Sequence, residues 1–181
     1  SCGLSGTEGW WSRVSAEDLD GDGDTDLVVG NHGLNSRFRA SPERPVTMYV
    51  NDFDLNGTVE HIICVFNGDT AYPMAMKDDL VTQIPALEIK YETFKSYSGQ
   101  TIRDIFSEDI LQRSVVLKVQ MLESVLLINE GPGTFRIKAL PAESQLAPVY
   151  AIATEDFDHD GVCDMLLGGN LSRAKPETGI Y

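Results

Sequence analysis

The chain has 181 residues, 42% of them apolar, with 28 acidic against 14 basic side chains and a net charge of −14. That length supports one well-buried core or at most two small ones, and the acidic excess excludes a nucleic-acid binder, whose phosphate contacts need clustered Lys and Arg. No apolar run of about eighteen residues offers a membrane span, no basic-then-apolar opening reads as a signal peptide, and Cys2, Cys64 and Cys163 are too few for a disulfide framework.

In chain order, Trp10 to Glu17 reads as a strand, Asp18 to Asp26 as an acidic turn, and Leu27 to Gly30 as the strand leaving it. The Trp10–Trp11 pair is expected half in the core and half on the surface, in preference to a sugar-stacking role. Asn31 to Pro45, with Gly, Asn, Ser and two prolines, is a loop. The strand, turn, strand arrangement returns twice. Val46 to Val50 and Ile62 to Phe66 flank Asp52 to Glu60, and Val149 to Ala153 and Met165 to Gly168 flank Asp156 to Asp164. Cys64 and Cys163 sit among apolar neighbours and are expected to be buried thiols; the context of Cys2 does not decide its role.

Between about Tyr72 and Ser114 the pattern changes to Lys, Glu, Asp, Leu and Ile at helical spacing, which predicts two or three helices. Asp78 is placed to cap the first, which Pro85 stops after Ile84. Pro85 then suits the first turn of a second helix running through Tyr97 to Gly99. Thr101 with Asp104, and Ser107 ahead of Glu108, are further N-cap signals. Leu87, Ile89, Tyr91, Phe94 and Tyr97 are assigned to core packing in preference to a ligand face. The segment is expected to pack on the rim or side of the sheets through Leu87, Phe94 and Phe106, leaving its outer face for a partner.

Strand signals resume at Val115 to Gln120 and Ser124 to Ile128. Asn129 to Thr134 is a turn, and Phe135 to Leu140 completes a hairpin. Repeated antiparallel units of this kind predict a mainly β chain of stacked or radially arranged sheets.

The acidic turns share a ligand spacing. Positions 1, 3, 5 and 9 carry side-chain oxygens and position 6 is glycine: Asp18, Asp20, Asp22 and Asp26 around Gly23; Asp52, Asp54, Asn56 and Glu60 around Gly57; Asp156, Asp158, Asp160 and Asp164 around Gly161. Position 7, occupied by Asp24, Thr58 and Val162, offers its backbone carbonyl. Calcium takes six to eight oxygens at roughly 2.3 to 2.6 Å in flexible geometry, which a short loop with alternate residues turned inward can supply. An acid at position 9 can bind through both oxygens. An EF-hand would need glutamate at position 12, where these turns have Val29, Ile63 and Leu167. The turns hold 12 of the 28 acids and no Lys or Arg, and carboxylates so crowded repel unless a cation sits among them. Up to three calcium ions are the expected cofactors.

The runs Asp18 to Leu27, Asp156 to Asp164 and Leu127 to Phe135 (Leu-Ile-Asn-Glu-Gly-Pro-Gly-Thr-Phe) resemble the FG-GAP or VCBS repeat, which builds calcium-binding β-propeller blades in integrin α-subunits and secreted bacterial proteins. Gly30 to Phe38 and the helical insertion are similar to large bacterial cell-surface proteins of the VCBS group. The resemblance spans Trp10 to Tyr181. It implies one repeat region over residues 1–181, a piece of a longer protein, with about three blades of a propeller and a helical insertion at about 72–114. It also implies an extracellular, cell-surface or periplasmic location. Loop 2 departs from the pattern through Asn56 and Glu60.

Two functions are expected in order. The first is a non-enzymatic calcium-binding module that binds a protein or a glycan at the cell surface. The alternative is a catalytic or non-catalytic part of a secreted glycan-processing hydrolase, which would need two carboxylates in different environments at a cleft. The clustered acids are already used as metal ligands, no nucleophile or zinc motif is present, and His32, His61 and His159 are scattered. The sequons Asn56-Gly-Thr58 and Asn170-Leu-Ser172 read as chance matches, since Asn56 is needed as a ligand.

Overall fold

The computed structural model describes residues 2–170. Among the described residues, ten strands make three antiparallel sheets, and five short α-helices lie between the fifth and sixth strands. The chain divides into two compact units, one formed by the chain up to Pro42 together with the chain from Gln120, the other by Glu43–Val119.

In the first unit, strands β1 (Arg13–Glu17), β2 (Asp26–Gly30), β7 (Val125–Asn129) and β8 (Phe135–Ala139) form one sheet in the order β1-β2-β7-β8. This is an ordinary antiparallel meander, except that the whole second unit is inserted between its middle strands. Strands β9 (Ala151–Glu155) and β10 (Asp164–Gly168) form a second sheet, and β9 packs against β1 and β2. Gly30 allows that approach, because a Cβ there would lie 2.6 Å from the Val149 carbonyl oxygen.

Three buried polar side chains tie the meander together. Asn31 donates to the carbonyls of Met121 and Glu123, while its own N–H donates to the Ser124 hydroxyl. Gln145, at the end of a 3-10 helix (Ala142–Gln145), accepts from Ser124 N–H and donates to the carbonyls of Ser124 and Leu140. Buried polar groups survive only when paired in this way. Trp10, His32 and Phe38 meet edge to face with ring centroids 4.7 to 5.6 Å apart, while Trp11 stays exposed. Burial disfavours the imidazolium and lowers the His32 pKa.

In the second unit, β3 (Val46–Asn51), β4 (Glu60–Asn67), β5 (Thr70–Pro73) and β6 (Val115–Val119) pair in the order β5-β4-β3-β6. Helices α1 (Lys77–Gln83), α2 (Leu87–Lys90), α3 (Phe94–Tyr97), α4 (Ile102–Ile105) and α5 (Glu108–Arg113) connect β5 to β6. Leu80, Ile84, Leu87, Tyr91, Ile102, Ile105, Phe106 and Leu111 of this helical stretch form one buried cluster with Phe53, from the turn between β3 and β4, and with Ile62 and Cys64 of β4. The helices are therefore half of this unit's core and not an appendage on its rim. Burial pushes the Cys64 thiol up to about 12.

Several local expectations are corrected. The helix expected from Pro85 through Tyr97 is broken at Tyr91, whose backbone leaves the helical region at φ −125° and ψ 74°. Its periodicity therefore fails beyond that point: Leu87 and Tyr91 are buried, but Ile89 and Phe94 are exposed. Phe94 instead carries the Lys77 ammonium 5.7 Å from its ring centroid. Asp78 lies in the first turn of α1 and gives no cap; Met76 holds that position without a side-chain bond. At α4 the expected N-terminal signal is present, with the Asp104 carboxylate accepting from Thr101 N–H at 2.8 Å. Cys163 is half-buried, and all three cysteines are free thiols. Among the described residues no helix is long and apolar enough to cross a membrane.

Candidate metal centres

Each acidic turn joins two antiparallel strands: loop 1 joins β1 to β2, loop 2 joins β3 to β4, and loop 3 joins β9 to β10. The same internal bonds recur in all three. The position-1 carboxylate accepts the N–H of the position-6 glycine, at 3.0 Å for Asp18 and Gly23, 2.8 Å for Asp52 and Gly57, and 2.9 Å for Asp156 and Gly161. The position-5 side chain accepts the N–H of position 7 at 2.7 to 2.8 Å, in Asp22, Asn56 and Asp160 alike. The position-9 acid accepts the N–H of position 2, which is Leu19, Phe53 or Phe157. Short oxygen side chains bonded to the backbone two to five residues on are the usual device of tight turns. Here that device also fixes where the carboxylates stand.

The three loops share a further, backbone feature. Positions 4 and 6 both take left-handed backbone in every loop: Gly21 and Gly23, Leu55 and Gly57, His159 and Gly161, with φ between 61° and 91°. Leu and His pay a steric cost there that glycine avoids.

Oxygen atoms of Asp18, Asp20 and Asp22 lie within 4.8 Å of one another in loop 1, as do those of Asp52, Asp54 and Glu60 in loop 2, and Asp156, Asp158 and Asp164 in loop 3. The position-9 acid thus joins the group in loops 2 and 3. In loop 1, Asp26 is fully buried, and its two oxygens accept from Leu19 N–H at 3.1 Å and from Asn129 N–H of β7 at 2.7 Å. The residues at position 7, Asp24, Thr58 and Val162, are exposed, and among the described residues their backbone carbonyls accept no backbone hydrogen bond. Asn56 and Asp160 face the turn through their bonds to position 7. Burial, and then the carboxylates of Glu17, Asp164 and Asp156, raise the Cys163 thiol pKa, keeping it in the protonated, weakly ligating form.

This donor set fits a hard cation. Every side-chain donor is an oxygen, a carboxylate oxygen has lone pairs left after accepting one N–H, and the position-7 carbonyls add neutral donors. Of the two sequons, Leu171 and Ser172 of the second lie outside the described residues.

Residues 10–40 match the family model described as FG-GAP repeat. Searches of curated proteins and of solved structures found no match. The matched stretch contains β1, loop 1, β2 and the Trp10–His32–Phe38 cluster that flanks them, so the family signature coincides with the first ligand loop. The chain carries an FG-GAP repeat, over residues 10–40.

Proposed function

We propose that the chain is a non-enzymatic, calcium-binding extracellular module, whose three acidic loops each hold one calcium ion and whose remaining surface binds a protein or glycan. In this reading the two sheets of the first unit are blades of a propeller, with the second unit contributing a further blade-like sheet of its own. The observation that carries it is the threefold recurrence of one hydrogen-bond pattern on one ligand spacing, in loops otherwise unlike in sequence. Asp18, Asp20, Asp22 and Asp26, Asp52, Asp54, Asn56 and Glu60, and Asp156, Asp158, Asp160 and Asp164 would hold the ions, with Asp24, Thr58 and Val162 giving carbonyls. A bound ion would neutralise each acidic cluster and stiffen the hairpin across which it sits.

A cation that binds only the folded chain stabilises it by about 2.7 kcal/mol at a hundredfold excess over Kd. The melting temperature is therefore expected to rise in millimolar calcium and fall in EDTA, with magnesium a poor substitute because it demands near-octahedral geometry at shorter distances. Identical melting curves in calcium and EDTA would overturn the assignment.

A further inference from the structure

We propose that the second unit carries a binding site for a neutral oligosaccharide, in the open cleft between the β4–β5 hairpin and the segment linking α3 to α4. The inference rests on reading the chain as a binding module, and not on its calcium. The cleft has a volume of about 460 Å³ and is lined by Asn67, Gly68, Tyr72, Pro73, Tyr97, Ser98, Gly99 and Gln100. That volume is within the range of small-molecule sites.

The chemistry of the lining selects the ligand. None of these residues is charged, in a chain of net charge −14. Two tyrosines and a proline offer flat apolar surface, and the negative face of a tyrosine ring attracts the C–H-rich face of a sugar. Two side-chain amides and a hydroxyl offer donors and acceptors to sugar hydroxyls. Among the described residues no hydrogen bond within the protein engages the Tyr72 hydroxyl, the Asn67 amide or the Ser98 hydroxyl, so these groups remain available to a ligand.

The walls are held by the fold. Tyr97 donates its hydroxyl to the Ala75 carbonyl at 2.8 Å and meets the buried Tyr91 edge to face, with ring centroids 5.5 Å apart. Burial pushes its hydroxyl up to about 12. On the other wall, Asn67 and Thr70 pair across a two-residue hairpin whose first central residue, Gly68, has φ 64°, as a type II′ turn requires. A Cβ on Gly68 or Gly99 would meet nothing within 4 Å, so both rims stand open. The neighbouring Asp69 is engaged by Arg44 outside the lining. A phosphate or an acidic sugar would find no cation in the cleft, and an apolar ligand would leave its amides unpaired.

The test is an array of neutral gluco-, manno-, galacto- and xylo-oligosaccharides probed with the full chain, followed by calorimetry with the best-captured oligomer. Tyr72→Ala, Asn67→Ala and Ser98→Trp are each expected to weaken binding at least tenfold, while Trp11→Ala in the first unit leaves it unchanged. Asn67 and Ser98 are exposed, so their variants keep the proposal testable if Tyr72→Ala fails to fold. Binding with no calcium-dependent shift in melting would support this site and overturn only the metal reading. Capture of no neutral oligosaccharide by the folded chain, capture of acidic saccharides or peptides alone, or unchanged affinity in Asn67→Ala and Ser98→Trp would overturn it.

Discussion

Loop 1 and loop 2 reach the same ligand spacing on different supports. In loop 1 the anchor is polar: Asp26 is fully buried, one oxygen closing the loop at Leu19 and the other extending the β2–β7 ladder at Asn129. In loop 2 the corresponding Glu60 accepts Phe53 N–H, at 3.0 Å, and the anchor is aromatic. Phe53 packs on Phe106, ring centroids 4.4 Å apart, inside the helical core. Loop 1 also has glycine at its left-handed fourth position, where loop 2 has Leu55. The spacing of oxygens fixes which atoms surround a cation, and the neighbouring strand or helix decides how firmly they are held. The two loops should therefore fail in different ways.

The largest effect is expected from Asp26→Ala. It leaves two N–H groups without an acceptor at a buried site, each worth about 1 to 3 kcal/mol, so a loss of about 4 kcal/mol is expected in urea denaturation, in EDTA as well as in calcium. Glu60→Ala removes one such partner and should cost about half as much in EDTA. Equal losses in the two variants would erase the contrast between the loops. In a calcium titration, Asp26→Ala and Asp164→Ala should lose more affinity than Asp24→Ala, whose exposed side chain is not needed when position 7 binds through its carbonyl.

Phe106→Ala attacks the other support. Truncating a buried aromatic costs about 3 kcal/mol, and here it also frees Phe53, whose N–H orients Glu60. Calorimetry is expected to find one weakened calcium site and two unchanged. Uniform weakening of all three would mean that loop 2 has no support of its own.

The ligand loops and their flanking strands were legible in the sequence because both are local. Asp-x-Asp-x-Asp-Gly with an acid at position 9 is set by reach along a few residues, and β-branched runs such as Leu27 to Gly30 and Ile62 to Phe66 need no distant partner to be recognised. What depended on tertiary structure was not legible. Nothing in Asn129 announces that it donates to Asp26, and nothing in Asn31, Ser124 or Gln145 announces a buried network. Strand β5 carries no strand signal because Thr70-Ala-Tyr-Pro73 is short and ends in proline, tolerable only at a sheet edge. The helical periodicity overruns the helix because the break at Tyr91 has no proline or glycine to mark it. The nesting of the second unit within the β1-β2-β7-β8 meander explains why the acidic loops recur at unequal intervals.

The first unit differs from the second in carrying a half-buried histidine whose pKa is lowered by burial. When the chain unfolds, His32 regains its ordinary pKa near 6.5, so below that value the unfolded state binds more protons than the folded one. Stability is therefore expected to be complete above about pH 6.5 and to fall as pH drops toward the lowered folded value, by up to about 1.4 kcal/mol per pH unit. Denaturation in EDTA between pH 7.5 and 5.5 measures this with carboxylate titration kept small. His32→Phe, which keeps an aromatic ring against Trp10 and Phe38, should flatten the slope. An unchanged slope would place the acid sensitivity in the acidic loops.

The smallest expected effect tests the fourth loop position. Leu55 and His159 hold left-handed backbone at φ 61° and 64°, where Gly21 holds it at 79°. A left-handed L-residue costs roughly 1 to 2 kcal/mol, but glycine gives back about 0.5 to 1 kcal/mol through the larger entropy of the unfolded chain. Leu55→Gly should therefore stabilise by only about 0.5 kcal/mol, with the gain visible in EDTA. Leu55 is 74% exposed, so little burial is lost to mask it. The reverse change, Gly21→Ala, meets no atom within 4 Å at its new Cβ and can act only through backbone strain and the unfolded-state entropy. It should destabilise by about 0.5 kcal/mol, the strain exceeding the entropy that alanine saves. Opposite signs in the two variants would establish that position 4 is governed by backbone conformation. A loss of stability in Leu55→Gly would show that the Leu55 side chain makes a contribution larger than its strain, and that loop 2 is supported by more than Phe53 and Phe106.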